Sequence, residues 1–112
     1  MEAVMAAERA LGNEPSDVSD QKIGYDIVSH DPKSGHLRFI EVKGRVWSAE
    51  TITVTANEIR TALNQPDRWF LAIVYVNEGQ AQQPEYIRQP FIQEPEFAEA
   101  SRTLRVKDLL KP

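Results

Sequence analysis

The sequence predicts an α/β fold: a central mixed sheet flanked by helices, in the order helix, strand, strand, strand, helix, strand. Three observations carry this. The stretch "IGYDIVSHDPKSGHLRFIEVKG" (23–44) is two apolar runs joined by turn formers, which reads as a hairpin. At Thr55 the apolar period switches from the alternation of "TITVT" to the helical spacing of "TANEIRTALNQP". The run "WFLAIVYV", Trp69 to Val76, is then apolar without interruption, as a strand buried on both faces must be.

Each element follows in turn. Val4, Ala7 and Leu11 lie along one side of a helix over 2–11, which Gly12 is placed to end. Residues 13–22 are polar and read as a loop. "IGYDIVS" is the first strand and "HLRFIEVKG" the second, closed by Gly44. "RVWSAE" leads to the β-branched third strand, "TITVT". In the helix that follows, Ile59, Ala62 and Leu63 share a face and Pro66 is the stop. A crossover through that helix makes "TITVT" and "WFLAIVYV" a roughly parallel pair. After the polar "NEGQAQQPE", "YIRQPF" is a peripheral strand, and the tail from Glu94 is irregular with a short closing helix or strand.

With 112 residues the chain is expected to form one domain, with its core over about 2–76 and a peripheral C-terminal extension over 77–112. No apolar run approaches the roughly 18 residues that span a bilayer, so no membrane partner is expected. The N-terminus has acids at Glu2 and Glu8 and no basic leader, and there are no cysteines, which fits a cytoplasmic protein. A net charge of −4 disfavours non-specific binding to nucleic acid, so any such affinity has to come from metal ions, a local basic strip or neighbouring domains.

The hairpin places charge where a buried strand should be apolar. Asp26 falls in its first strand, Glu41 and Lys43 in its second. Burying unpaired charge costs several kcal/mol. Alternation puts Phe39, Glu41 and Lys43 on one face and Ile40 and Val42 on the other; Tyr25 and Ile27 share a face opposite Asp26. Folding about the loop from His30 to His36 sets Asp26 opposite a position between about 39 and 41, so a pairing with Glu41 is within reach. Two adjacent carboxylates need a cation between them, which Lys43 or a metal would supply, and Mg²⁺ is held by such a pair with waters and phosphate completing its shell. Glu8, on the apolar side of the first helix, is a third acid for the same site or the partner of a neighbouring cation.

An acid in one strand and Glu-X-Lys in the next, with a Glu-bearing helix before and strand, helix, strand after, resembles the PD-(D/E)XK phosphodiesterases of the restriction endonuclease-like fold. Within that superfamily "GYDI…IEVKG…TxxE" looks like the domain named for the C-terminus of the NO VEIN protein, over about Val4 to Val76. The resemblance implies a nuclease-like domain, attached in many relatives to helicases or other ATPases. It implies Asp26 and Glu41 as metal ligands with the Val42 backbone carbonyl, Lys43 as the residue that positions or activates water, and Glu8 as an accessory acid. The cofactor implied is Mg²⁺ or Mn²⁺ and the partner DNA. Tyr25 stands where the superfamily's name motif has proline. The alternative is a catalytically inactive module on the same fold that binds nucleic acid or docks a protein.

The family's "TxxE" falls on Thr55 and Glu58, which also have the form of a helix capping box. Arg45 and Lys22 are candidate phosphate contacts, as are Arg60 and Arg68. Trp47, beside the Glu-X-Lys strand, is the candidate for stacking on a base. Trp69 and Phe70 read as core.

Overall fold

In the computed structural model, which describes residues 1–110, the apolar run forms β5 (Trp69–Asn77), buried from Trp69 through Val74. Its parallel neighbour is β3 (Leu37–Val46), in register from Phe39 beside Trp69 to Val46 beside Val76. β2 (Ile27–His30) pairs antiparallel with β3, and β1 (Glu14–Asp17) with β2. The far side of β5 carries β6 (Gln80–Ala81) and β7 (Glu85–Arg88), both antiparallel. β4 (Thr51–Thr55) lies outside this sheet, in a two-stranded ribbon with β8 (Ser101–Arg105). No helix among the described residues is long and apolar enough to cross a membrane.

Alternation along β5 divides the core in two. Trp69, Leu71 and Ile73 face α2 (Ala56–Asn64) and the β4–β8 ribbon, packing with Ile52, Val54 and Ile59. Phe70, Ala72 and Val74 face the other way, onto Val4 and Met5 of α1 (Glu2–Ala10), with Ile27 and Ile40. Large side chains buried this completely each contribute about 1.5–3 kcal/mol.

Several sequence expectations are corrected. "TITVT" is a strand, but its partner is β8 and the parallel partner of β5 is β3. Ile52 and Val54 are buried while the threonines between them are partly or fully exposed. That one-sided pattern suits a ribbon laid over the core, whereas an interior parallel strand is apolar on both faces. Gly44 does not close β3, which continues in register to Val46. The polar stretch 13–22 holds β1 and a 3-10 turn (Ser19–Gln21), with Pro15 accommodated because β1 is an edge strand. The described part of the C-terminal extension supplies β6, β7, β8 and α3 (Val106–Leu109), and it buries Ile87, Phe91 and Val106 in the α2-side core. Residues 111 and 112 of that extension lie outside the described residues.

The first strand also begins later than its sequence suggests, at Ile27. Gly24 has φ +95°, and the bend turns Tyr25 onto the α2 side, where it stacks on Phe39 with ring centroids 4.5 Å apart. Tyr25 and Ile27 therefore lie on opposite faces. The Gly24 carbonyl accepts from Trp69 Nε1 at 2.9 Å, and a Cβ on Gly24 would collide with the Thr61 side chain of α2. Left-handed backbone and close approach both require glycine here. Gly24→Ala is expected to destabilise the fold by about 2 kcal/mol, roughly 8 °C in Tm, and adding Thr61→Ala to recover only the steric part. Thermal unfolding of the two variants followed by circular dichroism checks this.

Candidate active site

The bend at Gly24 delivers Asp26 to the open end of the β2–β3 hairpin. Its N–H donates to the Ile40 carbonyl at 2.8 Å, one residue out of step with the Ile27–Ile40 pairing, so the ladder ends there in a bulge, and Asp26 and Glu41 line the same cleft. Asp26 Oδ2 accepts from the Val42 N–H at 2.9 Å, and its other oxygen makes no hydrogen bond among the described residues. In an extended strand the N–H and C=O of one residue point to the same side, so the Val42 carbonyl faces Asp26 as well.

Glu41 and Lys43 project from β3 towards α2. Glu41 is only 4% exposed. Lys43 Nζ lies 3.1 Å from Glu41 Oε2 and 3.0 Å from Glu58 Oε1, tying the strand to the helix start. Glu58 is fixed in turn by a capping box: its carboxylate accepts from the Thr55 N–H at 2.9 Å, and its own N–H donates to Thr55 Oγ1 at 3.1 Å. One oxygen of Glu58 thus serves both the cap and the lysine. A cleft of about 350 Å³ opens over these groups, lined among others by Lys22, Asp26, Glu41, Thr55, Asn57 and Glu58. Asn57 was not singled out from the sequence, although its place inside the Thr55–Glu58 box already sets it in the first turn of α2 beside Glu58.

The cluster holds three carboxylates against one ammonium. Burial, then the neighbouring Glu58, push the Glu41 carboxyl up to about 8 despite Lys43. Burial also works against ionised Glu58, but the Thr55 N–H, a proton shared with Glu41, and Lys43 outweigh it and hold Glu58 below the usual carboxylate range. Lys43 loses something to burial and regains more from Glu41 and Glu58, which keep it above the ordinary lysine value. It is a fixed cation.

Glu8 is elsewhere. It is fully buried on the α1 side of the sheet, where Arg38 donates to its two oxygens at 2.9 and 3.2 Å, Tyr86 at 2.8 Å and Asn13 at 3.2 Å. Arg38 in turn lies 4.1 Å over the Phe70 ring. Burial raises the Glu8 carboxyl, but these hydrogen bonds outweigh it and the net shift is downward. The helical wheel marks Glu8 as buried; its neighbours are the second of the two alternatives, a paired cation, and the sheet separates it from Glu41. Arg38 itself, a charge on the Ile40 face of β3, is the sequence signal for that pair.

The remaining candidates lie around the cleft. Lys22, with φ 52°, ends the 3-10 turn at the cleft wall. Arg45 is exposed two residues beyond Lys43 on the same face, and Trp47 follows, 60% exposed. Arg60 and Arg68 are exposed, Trp69 is core, and Phe70 is core under Arg38.

No three acidic, histidine or cysteine side chains converge as a metal cage among the described residues. What converges is a smaller set of hard oxygen donors: Asp26, Glu41 and the Val42 carbonyl. Mg²⁺ and Mn²⁺ accept such a set because waters and phosphate complete their shell, and a carboxyl that keeps its proton for want of a counter-charge fits a site for a cation.

A family model described as "Protein NO VEIN, C-terminal" matches residues 1–87. No curated protein sequence matches the chain. Among solved structures, the Holliday junction resolvase Hjc of Archaeoglobus fulgidus shares the fold with a TM-score of 0.56 at 8% identity, over 97% of this chain and 90% of that one. The fold is therefore α/β with a mixed sheet, structurally similar to that resolvase.

Two outcomes follow for the metal-free protein. An acid with a raised folded pKa keeps its proton in the native state after the unfolded chain has released it. Glu41 therefore contributes stability fully present below about pH 4.5 and lost as pH rises through about 8. Urea denaturation across that window is expected to show stability falling by up to about 1.4 kcal/mol per pH unit, and Glu41→Gln to flatten the slope. Glu8→Ala is expected to destabilise by about 3 kcal/mol, because it leaves Arg38 without its buried partner; the same denaturation curves measure it.

Proposed function

The chain belongs to the NO VEIN C-terminal family, and on its endonuclease-like fold we propose that it acts as a divalent-cation-dependent phosphodiesterase hydrolysing DNA. The observation that carries this reading is an open cleft lined by Asp26, Glu41 and Glu58, with Lys43 paired to the two glutamates and more carboxylates than cations to balance them. The structural relative is a Holliday junction resolvase, which supports DNA as the substrate class.

The roles follow from the geometry. Asp26 has one oxygen engaged by the Val42 N–H and the other open, and with Glu41 and the Val42 carbonyl it would hold the cation. A cation bound there supplies Lewis-acid polarisation of a phosphate oxygen and a more acidic bound water. Lys43, kept protonated by its carboxylate neighbours, acts as a hydrogen-bond donor to the attacking water or to a non-bridging oxygen where charge develops. Glu58 holds that ammonium in place through the helix cap. Lys22 and Asn57 at the cleft wall orient the strand. Water attacks phosphorus in line and gives up a proton to solvent, the opposite P–O bond breaks, and the departing sugar oxygen takes a proton from solvent.

One observation favours a second reading. Lys43 is already bonded to two carboxylates, so the cluster is also a scaffold ion-pair network on which a non-catalytic module could be built. Cleavage of end-labelled single- and double-stranded DNA with Mg²⁺ or Mn²⁺ separates the two. A nuclease is expected to cut only with metal, to lose at least about 10³-fold of its rate in Asp26→Asn and Glu41→Gln, and about 10²–10³-fold in Lys43→Met. A saturating metal is also expected to raise stability by about 2.7 kcal/mol at a hundredfold excess over Kd. No metal-dependent cutting and no metal-dependent rise in Tm would leave the scaffold reading standing.

A further inference from the structure

The face of β3 that carries Glu41 and Lys43 continues past the cleft. Arg45 is the next residue on it, about 6.6 Å beyond Lys43 along the strand, and its register neighbour on β5 is Tyr75. Arg45 makes no ion pair among the described residues. A hollow of about 260 Å³, lined by Lys43, Arg45, Thr51 and Thr53 among others, runs alongside. Trp47 lies two residues beyond Arg45 along the chain, 60% exposed, its backbone N–H bonded to the Val76 carbonyl at 3.0 Å and its ring in a T-shaped contact with Tyr75 at 5.7 Å and 75°. The contact is edge-to-face, and at 60% exposure Trp47 keeps much of its surface open to solvent. Tyr75 also lines a cavity of about 270 Å³ with Ala49, Val106 and Leu110, and with Lys107 and Glu50 among its polar lining.

A large exposed aromatic held by a backbone hydrogen bond and a ring neighbour is suited to stacking, since every nucleobase offers a π-face. Arg45 stands between Lys43 and Trp47 along the chain, and with Lys43, Thr51 and Thr53 it lines the hollow. We propose that Arg45, Trp47 and Tyr75 form a subsite for one unpaired nucleotide of a DNA strand next to the scissile phosphate, with Arg45 on its phosphate and Trp47 on its base. This rests on the phosphodiesterase reading and narrows its substrate. In a continuous duplex the bases are stacked on one another and closed to Trp47, so the preferred substrate is a strand with an unpaired base beside the cut: single-stranded, overhanging or branched.

The test uses the full chain and three labelled DNA probes: a blunt duplex, the same duplex with a three-nucleotide overhang, and that overhang made abasic. Binding is followed by anisotropy and by tryptophan emission, in which exposed Trp47 responds and buried Trp69 does not. The subsite requires the overhang duplex to quench emission and to bind about tenfold more tightly than its abasic form. It also requires Trp47→Ala to abolish that difference at unchanged Tm, and Trp47→Phe to restore part of it. Equal binding of overhang and abasic probes, or a preference that survives in Trp47→Ala, overturns the subsite alone if metal-dependent cleavage is still seen. Absence of both DNA binding and metal-dependent cleavage overturns the phosphodiesterase reading, and the subsite with it.

Discussion

The parallel pairing of β3 with β5 is the constraint on which everything else depends. β5 is apolar on both faces and has to be central, and only a strand running the same way can be joined to it through a crossover that covers one face. That crossover is β4 and α2, so the start of α2 is brought over the end of β3 that carries Glu41 and Lys43. The capping box then does two things with one carboxylate. It satisfies free N–H groups at the helix start and reaches across to the strand's lysine.

Buried charge is divided between the two faces of the sheet, and the two clusters differ in balance. On the α1 side, Glu8 and Arg38 neutralise one another, and Tyr86 and Asn13 add hydrogen bonds to the same carboxylate. A closed pair of that kind fixes where α1 sits on the sheet. On the α2 side, three carboxylates share one ammonium, and the deficit shows as a proton retained on Glu41 near neutral pH. A fold that needed only an internal ion pair has one already. The Glu8 carboxylate is closed off from solvent, whereas the carboxylates of the unbalanced cluster line an open cleft, and the function follows them there.

The sequence made legible what depends on local periodicity. The hairpin's symmetry placed Asp26 opposite a position between about 39 and 41, and the Asp26 N–H bonds to the Ile40 carbonyl; alternation placed Glu41 and Lys43 together, and the Thr-Ala-Asn-Glu stretch announced the cap of α2. It was silent where partners are set by tertiary packing. "TITVT" reads as a strand from its own residues, but nothing in it names β8. β1 was hidden because Glu-Pro-Ser-Asp has neither apolar alternation nor β propensity and is a strand only by pairing with β2. Tyr25 went to the wrong face because alternation holds only in extended backbone, and the positive φ of Gly24 interrupts it. Phe91 lies between Pro90 and Pro95 with no periodic neighbours, so its burial could not be anticipated. Glu8 was recognised as buried, whereas its partner Arg38 lies thirty residues on and is joined to it only by the fold.

The most direct measurement is the ionisation of Glu41 itself, followed by carbon-detected NMR of its side-chain carboxyl in the metal-free protein and again with millimolar Mg²⁺. The expected result is a midpoint near 8 without metal and a fall towards the ordinary carboxylate range when Mg²⁺ is present, with Asp26→Asn preventing that fall. A midpoint already in the ordinary range without metal, or one that Mg²⁺ leaves where it was, would contradict a buried cluster short of one cation.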